Sequence, residues 1–519
     1  MIKTKILWID DEVELLKPHI LFLEERGYKM FSRNNGNDAL EIIKKETFDI
    51  IILDENMPGL GGIETLEQIK LKNPNLPVIM VTKNEEEQIM DQAIGSKISD
   101  YLIKPVNPNQ ILLSLKKILN HKDLINETIE SKYQKEFSKI SLEVLDLNSF
   151  NDWSEFYKKL IYWELELDSL SSSNMLNIFN TQLKEANRLF SKFIIDNYES
   201  SIYKASPNIP IMSYNLFREK VKPEISDNSP TLFLIIDNLR LDQWKTIEPL
   251  ISPLFNLKKE ILYYSILPTT TQYARNSIFS GLTPIQMSQN HFEWWKNDNE
   301  DGGKNNFEQN FLNFQLNKLK IIGKNSFHKI TNLKSGLSLA KNIINHSNEI
   351  LTTVIYNFVD MISHAKTDME IIKELASNNK AYRSLTLSWF KNSPLFEIIN
   401  NAAENNFKLI ITTDHGTVNV DNPIEISGDR ESSSNLRYKT GKNLKFQNKN
   451  IFNIINASKY GLPAIGMNHN YIFATGYDYF IYQKQFNHYA KLYLNSFQHG
   501  GISMQEMILP FIVYYPKKL

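Results

Sequence analysis

The pattern that most constrains this chain is a series of short apolar segments, most of which end at a polar side chain. Before residue 105, five of them alternate with amphipathic stretches: Lys5–Ile9, Tyr28–Phe31, Ile50–Leu53, Val78–Val81 and Tyr101–Ile103. Such alternation predicts a parallel, doubly wound α/β sheet with right-handed crossovers. In such a sheet the carboxyl ends of the strands meet at one edge, where ligands bind.

Five polar side chains are predicted to converge on that edge. Asp10 and Asp11 follow the first segment, Asp54 closes the third, Thr82 follows the fourth and Lys104 the fifth. A phosphoryl acceptor needs a carboxylate nucleophile, a hard divalent cation, and a hydroxyl and an amine that hold the product oxygens. A lone pair of acids is usually a solvated loop, but five suitable groups at strand ends favour a site. We therefore predict that Asp54 accepts phosphate and that the three carboxylates bind Mg²⁺.

Residues 1–120 resemble the receiver domain of two-component response regulators, on the motifs WIDDE, IILDENMPGLGG, VTK and DYLIKP. The resemblance implies a flavodoxin-like fold with a parallel five-stranded sheet, and phosphorylation of Asp54 by a sensor histidine kinase. It implies that Thr82, Tyr101 and Lys104 form the switch and that the Lys104–Pro105 peptide is cis. It also implies that phosphorylation produces a homodimer.

Residues 121–205 lack the strand pattern and are charged and amphipathic. Helices are predicted at three positions: His121–Phe137, Asp152–Leu167 and Asn174–Asn197. We predict a helical bundle that links two domains. Its apolar stripe, which includes Trp153, Phe156, Leu160 and Trp163, is predicted to be core rather than a ligand-binding surface.

Residues 206–519 again alternate strands and helices, which predicts a second α/β domain. The predicted strands are Thr231–Asp237, Tyr263–Leu267, Leu319–Ile322, Thr353–Val359 and Leu409–Thr413. Two polar inserts, Trp295–Asn310 and Lys439–Asn450, are predicted as surface loops or lids.

The same region carries potential metal ligands in short motifs. They are Asp237 in IIDNLR, Asp360 and His364 in FVDMISH, Asp414 and His415 in TTDHG, and His499 in QHGG. Phosphate-ester cleavage is easier when one cation activates the nucleophile and a second, about 4 Å away, stabilises the leaving oxygen. Carboxylate and imidazole ligands suit zinc or manganese, and the chain has no cysteine.

Each motif alone has an ordinary explanation, such as a turn cap, a surface Asp–His pair or a buried histidine, but their combination favours a site. The segment ILPTTTQYARNSIFSG places hydroxyls after a strand and before a helix predicted from Ala274 onward. A helix amino terminus at this point would direct amide donors toward an anion. The sequence therefore predicts a two-metal phosphoryl-transfer site.

The order of these motifs resembles the PglZ branch of the alkaline phosphatase superfamily, across residues 206–519. The resemblance implies an alkaline-phosphatase-like α/β hydrolase domain with two Zn²⁺ ions, one bound by Asp360, His364 and His499, the other by Asp237, Asp414 and His415. The PTTT stretch resembles the PTxT motif of the superfamily's nucleotide phosphodiesterases, which implies Thr271 as the nucleophile. Arg275 and Asn276 are the nearest candidates to hold nonbridging phosphate oxygens.

The whole chain resembles response regulators of type IX secretion. That resemblance implies a phosphodiesterase that acts on linear or cyclic oligonucleotides, and a sigma factor as a further partner. Two alternatives stay open at this point: a signalling adaptor that binds a sigma factor or nucleotide with incidental catalysis, and a metal-dependent phosphomonoesterase.

The charge composition argues against DNA as a binding partner. Lys and Arg number 58 against 59 acidic residues, so the formal net charge is −1 and the basic excess typical of a DNA-binding protein is missing. Without a DNA-binding motif, a long apolar run or a cysteine, the sequence predicts a cytoplasmic protein with no membrane insertion.

Overall fold

The computed structural model describes most of the chain, in segments that together contain nearly all of the predicted site residues. The described residues are 4–83, 98–119, 121–169, 174–203, 209–226, 229–368, 370–428, 433–447, 451–464, 466 and 469–517, with backbone alone for 121–125, 364–368, 370 and 371. The chain forms two compact units, residues 1–132 and 133–519. The predicted boundaries at residues 120 and 205 stay predictions.

The first unit contains a parallel five-stranded sheet in the order β2-β1-β3-β4-β5. Its strands are β1 (Lys5–Ile9), β2 (Lys29–Arg33), β3 (Ile50–Asp54), β4 (Val78–Thr82) and β5 (Asp100–Ile103), and its helices are α1 (Lys17–Glu24), α2 (Gly36–Lys45), α3 (Gly62–Lys72) and α4 (Pro108–Leu119). The flavodoxin-like fold is confirmed, and each strand lies within two residues of its predicted position. Strands β3 and β4 are buried throughout, which explains their continuous apolar runs.

Three long helices follow: α5 (His121–Asp146), α6 (Phe150–Asp168) and α7 (Asn174–Tyr203). Helix α6 begins with a capping box in which the Ser149 hydroxyl accepts a hydrogen bond from the Asp152 amide and the Asp152 side chain accepts from the Ser149 amide. The predicted apolar stripe is confirmed as core, because its four residues are all buried: Trp153, Phe156, Leu160 and Trp163.

The second unit is built on a six-stranded sheet in the order β7-β19-β10-β6-β9-β8. Its strands are β6 (Thr231–Ile236), β7 (Phe255–Tyr264), β8 (Asn325–Ile330), β9 (Leu351–Tyr356), β10 (Lys408–Thr412) and β19 (Ile508–Pro516). Strands β10, β6, β9 and β8 are mutually parallel, whereas β19 runs antiparallel to both of its neighbours, β10 and β7. The carboxyl ends of three adjacent strands, β10, β6 and β9, therefore meet at one edge.

Helices pack against this sheet, and the chain between β10 and β19 forms smaller sheets. The helices are α8 (Ser213–Leu216), α9 (Leu241–Ile251), α10 (Thr271–Ser280), α11 (Pro284–Asn290), α12 (Glu308–Lys318), α13 (Leu333–Asn342), α14 (Phe358–Asp368), α15 (Glu370–Leu375), α16 (Asn379–Lys391), α17 (Pro394–Glu404), α18 (Phe486–Tyr493) and α19 (Met504–Met507). The smaller strands are β11 (Val418–Asn419), β12 (Asn422–Ser427), β13 (Tyr438–Lys442), β14 (Lys445–Phe446), β15 (Phe452–Ile454), β16 (His469–Phe473), β17 (Asp478–Tyr482) and β18 (Phe497–Gln498). Shorter helical turns cover Val13–Leu16, Phe217–Val221, Lys222–Glu224, Ile343–His346 and Ala457–Tyr460.

Two strand predictions in this unit are wrong. At Leu319–Ile322 the chain leaves α12 through Lys320, which has a φ of +56°, and Ile322 is 87% exposed; the strand begins later, with β8. The prediction Tyr263–Leu267 captured only the last two residues of β7. Strand β7 lies at the edge of the sheet, and most of its residues are exposed or half-buried, so its sequence does not form a continuous apolar run.

The insert Lys439–Asn450, predicted as a surface loop, instead contributes β13 and β14 as far as residue 447. Lys439 is 2% exposed, its ammonium group donates to the Ser433 carbonyl at 2.9 Å, and it lies 4.6 Å from the centre of the Tyr482 ring. A lysine can occupy a strand of this kind because its long aliphatic stem packs like an apolar residue.

A buried ionic cluster joins the long helices to the second sheet. Arg383 on α16 donates to Glu164 on α6 at 2.6 Å, to Asp242 on α9 at 2.5 Å, and also to Asp168. Asp242 in turn pairs with Arg240 at 2.5 Å. Because these side chains are almost fully buried apart from Asp168, each charge depends on its partners for the solvation lost on folding.

We predict that Arg383→Met lowers the free energy of unfolding by about 3–5 kcal/mol, since it leaves buried carboxylates unpaired. Urea unfolding followed by tryptophan fluorescence measures the effect. The matched control is Arg188→Met on α7, because Arg188 pairs with Glu185 in solvent, with side chains 62% and 51% exposed. The control variant should change stability by less than about 1 kcal/mol. Equal effects of the two substitutions would contradict the structural role of the cluster.

Candidate functional site

The candidate metal centre lies where β10, β6 and β9 end side by side. Asp237 directly follows β6, Asp414 lies two residues beyond β10, and Asp360 lies in the first turn of α14, shortly after β9. Parallel register between these neighbouring strands brings the three carboxylates, distant in sequence, to the same edge.

Asp237, Asp414 and His415 form the tightest group, since they offer ligand atoms that all lie within 4.8 Å of one another. The Nε2 atom of His415 is 3.7 Å from Oδ1 of Asp237 and 3.8 Å from Oδ2 of Asp414. All three residues are buried. A divalent cation fits such a set, because two carboxylates and one imidazole are ordinary zinc ligands.

A second group lies beside the first. The Nε2 atom of His499 is 3.8 Å from Oδ1 of Asp360. The His499 ring stacks on that of His415, with ring centres 4.2 Å apart and an angle of 16° between the planes. The His364 backbone lies one helical turn after Asp360 on α14, but its side chain lies outside the described residues.

The two imidazoles are oriented by backbone carbonyls. Nδ1 of His499 lies 3.2 Å from the Thr269 carbonyl, and Nδ1 of His415 lies 3.2 Å from the Gly416 carbonyl. Because a carbonyl accepts hydrogen bonds, each Nδ1 must carry the proton, which leaves an Nε2 lone pair facing the carboxylates. This is the orientation that a metal-ligating histidine needs.

The electrostatics of the first group favour a cation. Burial and the nearby Asp237 charge raise the pKa of Asp414 well above its usual value, whereas Arg275 and His415 outweigh burial and lower the pKa of Asp237. Burial lowers the pKa of His415, which favours its neutral form. The raised pKa of Asp414 means that two adjacent ionised carboxylates are disfavoured here with one arginine beside them, and a divalent cation in the site would favour loss of the Asp414 proton.

Thr271 is the first residue of α10, and its hydroxyl points into the group. Its Oγ1 lies 3.1 Å from Nε2 of His415 and 3.5 Å from Oδ1 of Asp237. The prediction that the helix begins at Ala274 is wrong by three residues, because Thr270 already has the extended conformation of an N-cap residue. The hydroxyl therefore sits at the end of the helix where amide groups and the dipole attract an anion.

Arg275 and Asn276 lie on α10, and both are buried against protein groups. The Arg275 guanidinium is paired with carboxylates, and the Asn276 amide donates to the carbonyls of Gln272 at 2.8 Å and Lys304 at 3.2 Å. These contacts place the two side chains behind the candidate ligands. Their contact with substrate stays a prediction.

Sequence reasoning missed Asn238, which links the two ligand groups. Its amide nitrogen donates to Asp414 at 3.4 Å, and its side chain donates to Asp360 at 3.2 Å. This geometry needs a φ of +63°, which asparagine tolerates better than most residues. An asparagine directly after a strand-end aspartate was therefore a usable signal.

Gly416 of the TTDHG motif has a steric role. A Cβ at this position would lie 2.0 Å from the Gln505 carbonyl oxygen, so a side chain would push the backbone apart next to His415. The glycine lets the candidate ligands approach the segment before β19 closely.

The receiver site has the predicted geometry. Asp10, Asp11 and Asp54 offer oxygens within 4.8 Å of one another, and the Lys104 ammonium lies 2.8 Å from Asp54 and 2.9 Å from Asp10. Burial raises the pKa of Asp54 to about 6, although Lys104 opposes the shift. Crowded carboxylates of this kind suit Mg²⁺.

The predicted switch residues Thr82, Tyr101 and Lys104 lie on or next to β4 and β5. Thr82 closes β4, and its hydroxyl donates to Glu55. Tyr101 on β5 is half-buried and packs against the apolar core on one face of the sheet. The Lys104–Pro105 peptide is cis, as the resemblance implied.

Three family models match the chain in sequence order. The response regulator receiver domain matches residues 6–116, the PorX response regulator linker domain matches 123–202, and the BREX system PglZ alkaline phosphatase-like domain matches 216–514. This order matches the PorX architecture. In the described part of the chain, no helix combines the length and apolar character needed to cross a membrane.

Curated relatives match the chain near the receiver domain. The transcriptional regulatory protein ResD of Bacillus subtilis is 32% identical over 27% of this chain and 60% of its own length. The transcriptional regulatory protein ZraR of Klebsiella oxytoca is 34% identical over 23% of this chain and 27% of its own length. The chain thus spans less than two thirds of either relative.

Solved receiver structures match the same region. A receiver domain from Methanospirillum hungatei is 28% identical, with a TM-score of 0.23, and the match covers 23% of this chain and 96% of that chain. One from Clostridium thermocellum is 29% identical, with a TM-score of 0.22, and covers 23% and 98%. Since the PglZ model covers more than half of the residues, the chain belongs to the PglZ alkaline phosphatase-like family and combines that domain with a response-regulator receiver domain.

Proposed function

We propose that this protein is a response regulator whose phosphorylation at Asp54 controls a zinc-dependent phosphodiesterase. One observation supports the catalytic part above the others. The Thr271 hydroxyl lies at a helix amino terminus, 3.1 Å from His415 and 3.5 Å from Asp237, inside a group of buried potential metal ligands. The candidate nucleophile, the candidate metal ligands and the amide groups at the start of α10 thus lie next to one another.

Two Zn²⁺ ions are proposed for the effector domain. Asp237, Asp414 and His415 would hold one ion, and Asp360, His364 and His499 would hold the other. The donor set fits, because both described imidazoles direct Nε2 toward carboxylates and the ligand atoms of Asp237, Asp414 and His415 lie within 4.8 Å of one another. When bound, the ions would lower the pKa of the nucleophile and stabilise the charge on the leaving oxygen. In the receiver, Asp10, Asp11 and Asp54 would hold Mg²⁺.

The chain's own groups have definite roles in this proposal. Thr271 Oγ1 loses its proton and attacks phosphorus, and the first ester oxygen leaves and takes up a proton. Water then attacks the same phosphorus, which releases a phosphomonoester and restores the threonine hydroxyl. The first amides of α10 bind nonbridging oxygens as charge develops on them. Asn238 keeps the Asp360 and Asp414 carboxylates in register across the two ligand groups.

The proposed substrates are linear or cyclic oligonucleotides, and the proposed process is type IX secretion. The PTTT motif supports a diesterase rather than a monoesterase, and the match to the PorX linker domain supports the process. Trp295 is buried against Tyr273 with ring centres 5.4 Å apart, so its ring packs in the protein rather than offering a surface for base stacking. A sensor histidine kinase is the proposed phosphate donor and a sigma factor a further partner.

We expect Thr271→Val to reduce hydrolysis of bis-nitrophenyl phosphate by on the order of a thousandfold, because it removes the nucleophile. Chelation should have a comparable effect, and added zinc should reverse it. The control is Thr246→Val on α9, because that hydroxyl donates to the Asp242 carbonyl at 2.8 Å and has no contact with the candidate ligands. It should retain full activity.

Hydrolysis that survives both chelation and Thr271→Val would falsify the catalytic assignment. A folded, zinc-loaded protein without any hydrolase activity would favour a signalling adaptor. Faster cleavage of nitrophenyl phosphate than of the bis ester would favour a phosphomonoesterase instead.

We expect beryllofluoride or acetyl phosphate to convert the protein from monomer to dimer and to change its turnover of the bis ester, because a ligand shifts an equilibrium by its different affinity for two states. Light scattering and the same hydrolysis assay measure the two effects. Asp54→Asn should abolish both responses. If the wild-type protein keeps its mass and turnover under these conditions, phosphorylation does not control the effector domain in this way.

A further inference from the structure

Behind the candidate ligands, a lysine, a glutamate and an arginine form a line of alternating charge that ends at two aspartates. The Lys329 ammonium lies 2.7 Å from Glu308, and the other oxygen of Glu308 lies 2.6 Å from Nε of Arg275. Nη1 of Arg275 lies 2.7 Å from Asp237 and 3.5 Å from Asp414. The line runs from a partly exposed lysine on β8, through α12 and α10, to the ends of β6 and β10.

The inner members of this line are buried. The side chains of Arg275, Glu308 and Asp237 are each 1% exposed, whereas that of Lys329 is 32% exposed. Buried charges are costly unless they are paired, so each of these groups depends on its neighbours. The Arg275 fork suits the position, because its separate nitrogens contact Glu308 on one side and the two aspartates on the other.

The acidic groups outnumber the basic ones. Three carboxyl groups face two cations, and Asp360 lies close by through Asn238. Without Arg275, the Asp237 and Asp414 carboxylates would meet with no positive side chain among their described contacts. The guanidinium therefore neutralises part of the charge that a metal ion would otherwise have to neutralise.

We propose that Arg275 is a built-in counter-ion for the candidate metal centre, and that Glu308 sets how strongly Arg275 opposes a bound cation. The inference rests on the proposed zinc site. Arg275 holds the aspartate pair together before metal arrives, at the expense of metal affinity, since two cations that share carboxylates repel each other. Arg275 is thus a positioning residue, and the direction in which its removal changes zinc affinity can be measured.

The proposal makes opposite predictions for two neighbouring residues. Arg275→Met removes the competing positive charge, so zinc should bind about tenfold more tightly. Glu308→Gln removes the partner that offsets the arginine, so zinc should bind about tenfold more weakly. A purely structural role for the two residues would weaken zinc binding in both variants, because either substitution would loosen the site.

The experiment is calorimetric titration of the full chain with zinc chloride, after chelation and dialysis, with excess Mg²⁺ present to saturate the receiver site. The control is Arg383→Met, which also removes a buried arginine with three carboxylate partners, none of them a candidate ligand. This control should leave zinc affinity unchanged. Thermal unfolding gives a second readout. Zinc should raise the Tm of Arg275→Met more than it raises that of the wild type. It should raise the Tm of Arg383→Met by the same amount as that of the wild type.

Shifts of the same sign in Arg275→Met and Glu308→Gln, or no change in either, would overturn the proposal. If Arg275→Met folds only when zinc is present, that dependence supports it, and Glu308→Gln still tests the sign. Failure of the proposed function is a separate result: a wild type that binds zinc but cleaves no ester loses the function while the affinities still decide the role of Arg275. A wild type that binds no zinc ends both.

Discussion

The structure depends above all on the confinement of like charges at one edge of the second sheet. Asp237 and Asp414 are both buried, and their ligand atoms lie within 4.8 Å of each other and of His415. Carboxylates this close repel unless a cation lies between or beside them. Arg275 supplies one positive charge, and the remaining excess explains why the site suits divalent ions. The surrounding contacts hold this charge distribution in place.

The helical segment and the candidate site are linked by specific contacts within the second unit. Arg383 on α16 pairs with Glu164 on α6 and with Asp242 on α9. Next to it, the Tyr382 hydroxyl donates to the carbonyl of Val359, and the Tyr382 ring stacks on the β18 residue that lies two positions before His499. Helix α16 thus contacts both the long helices and two ligand-bearing segments.

Both halves of the chain place carboxylates close together at the edge of a parallel sheet, next to a basic side chain. In each, parallel strands deliver carboxylates to one edge, and a basic side chain partly neutralises them: Lys104 in the receiver and Arg275 in the effector domain. The difference lies in burial. Lys104 is 14% exposed, whereas Arg275 is 1% exposed behind its carboxylates. Solvent therefore reaches the receiver lysine, whereas the arginine contacts only protein groups.

Local pattern alone determined the receiver sheet, the core of the helical segment and the strand-end positions of Asp54, Asp237 and Asp414, because apolar periodicity and strand ends are properties of neighbouring residues. It failed at the exposed edge strand β7 and at buried Lys439, where sheet pairing overrides composition. Only the tertiary structure decided which distant groups meet: Glu308 pairs with Arg275 although the two residues lie 33 positions apart in the sequence. No local signal encodes such a contact, since it arises from how helices pack over the folded sheet.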